Sequence, residues 1–369
     1  MSKTLKLFKI FGITIQLHYS WFIILLILTW SLATAFFPHY FVGYSTSMYW
    51  FMGFISAILL FVSVLLHELS HSLVAKLRKI EVSSITLFFF GGVAGIKKEQ
   101  MKPSSEFLMA IAGPIFSFIL AAIFFAINKS NINGIVSAIT FYLYQLNFIL
   151  AVFNLVPGFP LDGGRAFRAI LYAYYKDLKK ATRIASRIGK LFAIFLVVIG
   201  FVSFFNGFNG LWFILLGGFL YFIAGLSYDQ VVLKDVLEDI SVKDIMIKKY
   251  KKVDPKLTFE KFIKKYAKFD EDVFVVQNKQ FTGILDLKRV QAMPKEMQKR
   301  IILKQITMPL EQIRHLRKEN TAYTAFKKFS EENIDMLPVL DNKKKLIAIV
   351  TRRSINNRLM LEAKFNSHK

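Results

Sequence analysis

The sequence predicts a polytopic α-helical membrane protein of about six transmembrane helices, followed by a smaller α+β unit. Three observations carry that prediction. Of 369 residues, 54% are hydrophobic, and the mean hydropathy is +0.43, too apolar for an ordinary soluble chain. Residues 1–228 hold only 18 Lys or Arg and 6 Asp or Glu, against 31 and 19 in residues 229–369. Apolar runs long enough to cross a bilayer, about 20 residues each, recur through the first part and stop near Tyr228.

The expected spans are residues 19–37, 48–76, 107–127, 136–156, 191–206 and 211–228. The fifth and sixth are short and read as a tight hairpin around Asn206–Gly210, where two Gly and two Asn mark a turn. Direction follows from the loops. Residues 38–47 carry no Lys or Arg and residues 128–135 carry only Lys129, whereas six basic residues lie from Lys76 to Lys102 and eight from Arg165 to Lys190. Basic loops stay in the cytoplasm. A multi-pass protein of the cell membrane is expected, with both termini and the polar C-terminal unit cytoplasmic. The first apolar run begins near Tyr19, is long and lacks a convincing cleavage site, so no signal peptide is expected.

The net charge of +24 is assigned to topology and anionic lipid headgroups. No Arg-rich stripe interleaved with aromatics occurs, so nucleic acid is not an expected partner. Cysteine is absent, which excludes disulfides, thiolate metal sites and cysteine nucleophiles. Between spans 2 and 3, residues 83–95 read SSITLFFFGGVAG. They are too short to cross the bilayer and are expected as a hairpin or re-entrant segment lining a cavity; the plainer alternative is an interfacial apolar loop.

Chemistry concentrates in span 2. It contains His67-Glu68-Leu69-Ser70-His71, an H-E-x-x-H pattern. Residues four apart on a helix share a face, so two imidazoles can hold one zinc ion while Glu68 serves as general base toward an activated water. The pattern alone is moderately specific. Its place inside an apolar span strengthens it, because one ionisable residue at the bilayer centre costs at least about 2.5–3.5 kcal/mol. A polar patch joining two helices is the simpler explanation. A third ligand is needed. His18, His39, His315 and His368 are badly placed. Among the acids, Asp162 ends the run NLVPGFPLDGGR, residues 154–165, whose two prolines and three glycines interrupt span 4. Asp162 also suits a cap for the amphipathic helix expected over 163–190, and one residue can do both. Both His67 and Asp162 fall in the cytoplasmic leaflet; His67 precedes Lys76 by nine residues, roughly 14 Å of helix.

At these residues the chain resembles the site-2 protease family of intramembrane zinc metalloproteases. HELSH matches the family's zinc motif and NLVPGFPLDGGR its second motif; the likeness covers residues 1–228, including Ala112-Gly113-Pro114. The resemblance implies one Zn2+ per chain held by His67, His71 and Asp162, Glu68 as catalytic base, and Asn154 steadying the substrate or its oxyanion. It implies a metalloendopeptidase that cleaves transmembrane or membrane-associated proteins, in regulated intramembrane proteolysis.

Beyond residue 228 the pattern repeats. A helical stretch (258–269) and strands 272–276 and 281–285 return as 321–329, 336–340 and 346–350, at a spacing near 64. This resembles a CBS domain pair and gives a second domain, 229–369, beside the membrane domain, 1–228. Such pairs bind adenine nucleotides through an Asp after the last strand. Here the two copies read Gly283-Ile-Leu-Asp286-Leu-Lys-Arg289 and Ala348-Ile-Val-Thr351-Arg-Arg-Ser354. Both lack that Asp, which counts against a nucleotide and leaves homodimerisation or a membrane-surface role. Two other classes compete with the protease: a CBS-containing transporter or channel, against which no inverted repeat is visible, and a non-proteolytic binding platform, against which HELSH and LDGG stand intact.

Overall fold

The computed structural model describes residues 4–89, 91–96, 101–130, 132–206, 210–266, 273–287, 300–332 and 334–366. Residues 207–209 of the expected turn, Asp272, Arg289 and His368 lie outside them. By internal contacts the chain divides into two units, Met1–Val231 and Val232–Lys369.

Among the described residues of the chain, six helices are long and apolar enough to span a membrane: Ser20–Tyr40, Thr46–Leu77, Pro103–Lys129, Gly134–Asn154, Leu178–Phe205 and Leu211–Asp239. The first is composite. Helix α1 (Ser20–Ser31) passes through a π turn (Leu32–Phe36) into the short α2 (Phe37–Tyr40). Pro38, just inside α2, has no N–H to give to the preceding turn. Helix α3 (Thr46–Leu77) begins where Ser45 accepts a hydrogen bond from the Met48 N–H. Helix α4 (Pro103–Lys129) opens on a proline at its first position, where the missing N–H costs nothing. Helix α5 (Gly134–Asn154) is capped by Asn133, whose Oδ1 accepts from Ile135 N–H at 2.8 Å.

Two features differ from the sequence reading. The amphipathic helix expected over 163–190 is two helices, α6 (Asp162–Tyr175) and α7 (Leu178–Phe205). Lys176 adopts a left-handed conformation (φ 57) that ends α6, and Asp177 caps α7 by accepting from the Lys180 N–H at 2.9 Å. Span 5 therefore starts well before residue 191 and is not short; α8 (Leu211–Asp239) likewise continues past 228.

The second difference lies before span 1. Strands β1 (Thr4–Ile10) and β2 (Ile13–His18) form a hairpin, and β2 runs parallel to β3 (Val82–Phe88), which pairs antiparallel with β4 (Gly91–Ile96). The sheet order is β1-β2-β3-β4, so β4 is an edge. The alternation Ile13, Ile15, Leu17 turns three apolar residues inward against Leu69, Ala75 and Ile85 or the adjoining core. The strands Val82–Phe88 and Gly91–Ile96 thus pair as the hairpin expected within residues 83–95, of which residue 90 lies outside the described ones.

The second unit holds a four-stranded sheet, β5 (Lys252–Val253), β6 (Val273–Gln277), β7 (Thr282–Asp286) and β8 (Met308–Pro309), and a separate pair, β9 (Met336–Leu340) with β10 (Leu346–Thr351). Helices Phe259–Tyr266 and Ala322–Glu332 precede the two hairpins. Helix, strand and strand therefore occur twice, the α+β arrangement the repeat predicts.

Candidate active site

The site is built on α3, α4 and the start of α6. His67 and His71 stand one turn apart on α3 and are each 4% exposed. Their rings are oriented from behind by α4. His67 Nδ1 lies 2.8 Å from Ser117 Oγ, and His71 Nδ1 lies 2.6 Å from the Met109 carbonyl oxygen. A carbonyl only accepts, so His71 donates from Nδ1, and the neutral ring then has its lone pair on Nε2, on the other side.

Those outward nitrogens converge. The two Nε2 atoms are 3.2 Å apart, and Asp162 Oδ2 lies 3.2 Å from that of His67 and 3.1 Å from that of His71. Three electron-pair donors so close repel one another unless a cation sits among them. Donor atoms on a tetrahedron with zinc bonds of about 2.0–2.1 Å stand about 3.3 Å apart. The spacing and the His, His, carboxylate chemistry fit zinc. Among the described residues this is the one cluster of His, Cys, Asp and Glu able to hold a metal.

Asp162 is delivered by a broken segment. Helix α5 ends at Asn154, and the loop 155–161 turns back so that Asp162 is the first residue of α6. A Cβ at Gly163 or Gly164 would collide with the backbone of Leu155 or Gly158; the two glycines let the helix start lie directly on the loop. Gly113 of α4 has the same role opposite the histidines. A Cβ there would sit 2.5 Å from His71 Cε1 and 2.6 Å from His67 Nε2.

Glu68 follows His67 on α3 and lies under β4: a Cβ at Gly92 would come within 2.5 Å of Glu68 Cγ. An edge strand thus passes beside the candidate base. Asn154 is not in the cluster; its Nδ2 donates to the Leu150 carbonyl at 2.9 Å within its own helix. His18 bonds Ser20, and His39 meets Tyr40 edge to face.

Comparison with known proteins matches Peptidase family M50 over residues 55–132 and 128–198 and a CBS domain over 303–361. Zinc metalloprotease MJ0392 of Methanocaldococcus jannaschii is 37% identical over 266 residues, 71% of this chain and 72% of that protein. Rip3 of Mycobacterium tuberculosis is 34% identical over 273 residues, 72% of this chain and 69% of its own length. The chain belongs to peptidase family M50, the site-2 proteases. A solved structure, the site-2 protease from Methanocaldococcus jannaschii, is 36% identical, covers 61% of this chain and 95% of that one, and has a TM-score of 0.43.

This M50 chain is a zinc metalloprotease and a multi-pass membrane protein with a C-terminal CBS region. The motif pair brought His67, Glu68, His71 and Asp162 into view. Ser117, Gly113 and the Met109 carbonyl were missed as supports. Ser and Gly are ordinary in spans, and a backbone carbonyl leaves no mark in a sequence; the usable signal was the i, i+4 spacing of Gly113 and Ser117 opposite two histidines with the same spacing.

Proposed function

We propose that this M50 protease is an intramembrane endopeptidase acting on transmembrane or membrane-associated proteins, with one zinc per chain held by His67, His71 and Asp162. The observation that carries the reading is the triangle of Nε2, Nε2 and Oδ2 at 3.1–3.2 Å, with both histidines on a helix of spanning length. Zinc bound there supplies a Lewis acid that polarises the scissile carbonyl and acidifies water.

The remaining work falls to side chains. Glu68 takes a proton from the attacking water on its carboxylate and returns it to the departing amide nitrogen. Ser117 and Met109 hold the imidazoles with Nε2 toward the site, so no reorientation accompanies the reaction. Asn154 steadies the substrate carbonyl by exchanging its bond to Leu150 for one to the substrate. A helical substrate hides its carbonyls in hydrogen bonds and must unwind before attack. The free edge of β4 beside Glu68 offers the unwound stretch a strand partner.

Residues 229–369 form the regulatory CBS pair on the cytoplasmic side. Its cleft has a volume of about 640 Å³ and is bordered by Tyr250, Phe274, Lys249, Arg353 and Ser354; burial pushes the Tyr250 hydroxyl pKa up. Size and charge suit a phosphorylated ligand such as an adenine nucleotide, although Ser354 stands where the ribose-binding Asp belongs. The pair is also the proposed homodimer surface. Calorimetric titration of the full chain with AMP and ATP tests the cleft.

The protease reading is tested by zinc content and cleavage in detergent-purified wild type, His67→Ala and Asp162→Asn. About one zinc per wild-type chain, lost in both variants while they remain folded, supports it. Zinc absent from the wild type, or indifferent to Asp162, refutes it and moves the transporter or platform forward.

A further inference from the structure

We infer that Glu106 and Arg168 form a clamp that sets the register of the Asp162-bearing helix, and that one face of α4 is the common frame for all three metal-binding side chains. The inference rests on the reading of Asp162 as a ligand. Glu106 lies in the first turn of α4 and is 3% exposed. Arg168 Nε on α6 donates to Glu106 Oε1 at 2.8 Å, and Arg168 Nη2 reaches the same oxygen. The guanidinium carbon also lies 4.9 Å from the centroid of the Phe159 ring. One side chain therefore joins α4 to α6 and to the loop that leads into Asp162.

The positions on α4 form a pattern. Glu106, Met109, Gly113 and Ser117 are spaced three or four residues apart and share one face. From that face Ser117 meets His67, the Met109 carbonyl meets His71, and Gly113 leaves room for both rings. Glu106 supplies the fourth contact, to the helix that brings the third ligand.

A purely stabilising role is a weak explanation for this pair. Desolvating two charges commonly cancels the gain from their attraction, whereas fixing a register is the better-attested use of buried ionic groups. The start of α6 needs such an index. Gly163 and Gly164 meet the loop backbone to backbone, so at these two positions no side chain keys the first turn of α6 to the loop. A slide of about 0.5 Å is enough to spoil a catalytic or ligand constellation. Arg168 and Glu106 are thus positioning residues that act through Asp162.

The test uses the full chain in detergent, with Glu106→Gln, Arg168→Gln and the double variant. Three readouts are taken: zinc affinity by chelator competition, the visible absorption bands of the Co2+-substituted protein, and the rise in Tm that zinc produces over the apo form. Loss of a side chain that orients a metal ligand weakens binding about 10–100-fold, and the clamp, acting one step further out, falls toward the low end of that range. The expected result is a loss of about tenfold or more in each single variant, no further loss in the double, shifted Co2+ bands and a smaller zinc-dependent rise in Tm. A structural staple would instead lower the apo and zinc-bound Tm together. Affinity within about twofold of wild type, against that expected loss, with unchanged Co2+ bands overturns the proposal even where the apo Tm falls. If Arg168→Gln does not fold, Arg168→Lys replaces it: lysine keeps the charge but not the fork of donors, and wild-type values there overturn the clamp equally. Asp162→Asn is run beside them. Zinc lost in Asp162→Asn but unchanged in the clamp variants sinks the clamp alone; zinc retained in Asp162→Asn sinks the ligand assignment beneath it.

Discussion

Gly113→Ala adds one methyl group at the place where α4 faces the two histidines. The new Cβ would lie 2.5 Å from His71 Cε1 and 2.6 Å from His67 Nε2, where ordinary contact begins at 3.4 Å. One side must yield by about 1 Å. The rings cannot back away freely, because His67 is tied to Ser117 and His71 to the Met109 carbonyl on α4 itself. A displacement of about 1 Å at a reacting centre costs about 100-fold in rate, or about 2.7 kcal/mol of transition-state stabilisation. The expected outcome is a folded protein with at least a 100-fold loss in kcat/KM and reduced zinc occupancy. The assay pairs metal content with cleavage of a transmembrane substrate in detergent, and circular dichroism verifies the helices. Gly218→Ala is the control, since a Cβ there meets nothing within 4 Å, and alanine favours a helix over glycine by roughly 1 kcal/mol. Wild-type zinc and cleavage in Gly113→Ala would refute the reasoning: the rings would then have slack that the geometry denies them.

Glu68→Gln should keep its zinc and lose about 10²–10⁴-fold in kcat, the opposite division from Asp162→Asn; zinc loss in Glu68→Gln would mean that Glu68 is a ligand rather than a base. Ser117→Ala removes the 2.8 Å partner of His67 Nδ1 and should weaken zinc binding about 10–100-fold, as read by chelator competition. Gly92→Ala pushes a Cβ to 2.5 Å from Glu68 Cγ; it should depress cleavage with zinc occupancy unchanged, and equal losses of both would remove β4 from the role of strand partner. Topology is open to a clean test because the chain has no cysteine. Val42→Cys, at an 84% exposed position, should react with an impermeant thiol reagent in intact cells and Lys343→Cys only after lysis; the reverse pattern inverts the proposed orientation.

What could be read before the structure depended on what each feature looks like in one dimension. Spans 2, 3 and 4 are visible as hydropathy, and the observed helices Thr46–Leu77, Pro103–Lys129 and Gly134–Asn154 overlap the expected ranges closely. The break at Lys176 and Asp177 is invisible to periodicity, since the chain is amphipathic on both sides of it. Its signal was local: an aspartate placed to cap the next turn. The start of α7 was displaced toward residue 191 because Lys179, Lys180, Arg183, Arg187 and Lys190 make its first turns look aqueous. Long basic side chains can reach the interface from a helix that continues into the membrane. The N-terminal hairpin is hard to see in the sequence for a different reason. A search for runs of about 20 apolar residues does not register two strands of 7 and 6 residues, although Ile13, Ile15 and Leu17 alternate as a half-buried strand should.

The same contrast applies within the site and explains why its support is harder to read than its ligands. His67, His71 and Asp162, the proposed ligands, are ionisable residues within or next to long apolar runs, so each stands out against its neighbours. The face of α4 behind them is made of small residues: Ala110, Gly113, Ser117 and Ala121 are all buried. In a bilayer no hydrophobic drive pulls helices together, and small residues that permit close packing and short polar contacts do that work instead. Such residues look the same whether they serve packing alone or hold a catalytic imidazole. Glu106 is the exception. It is one of six acids in the first 228 residues, and its place on the Met109, Gly113 and Ser117 face could have been drawn from helical spacing alone. Its partner could not, because Arg168 lies 62 positions away on a helix whose path depends on the turn before Asp162. The proposed ligands are thus legible by their chemistry, while the frame that would aim them becomes legible only once α4 and α6 are seen side by side.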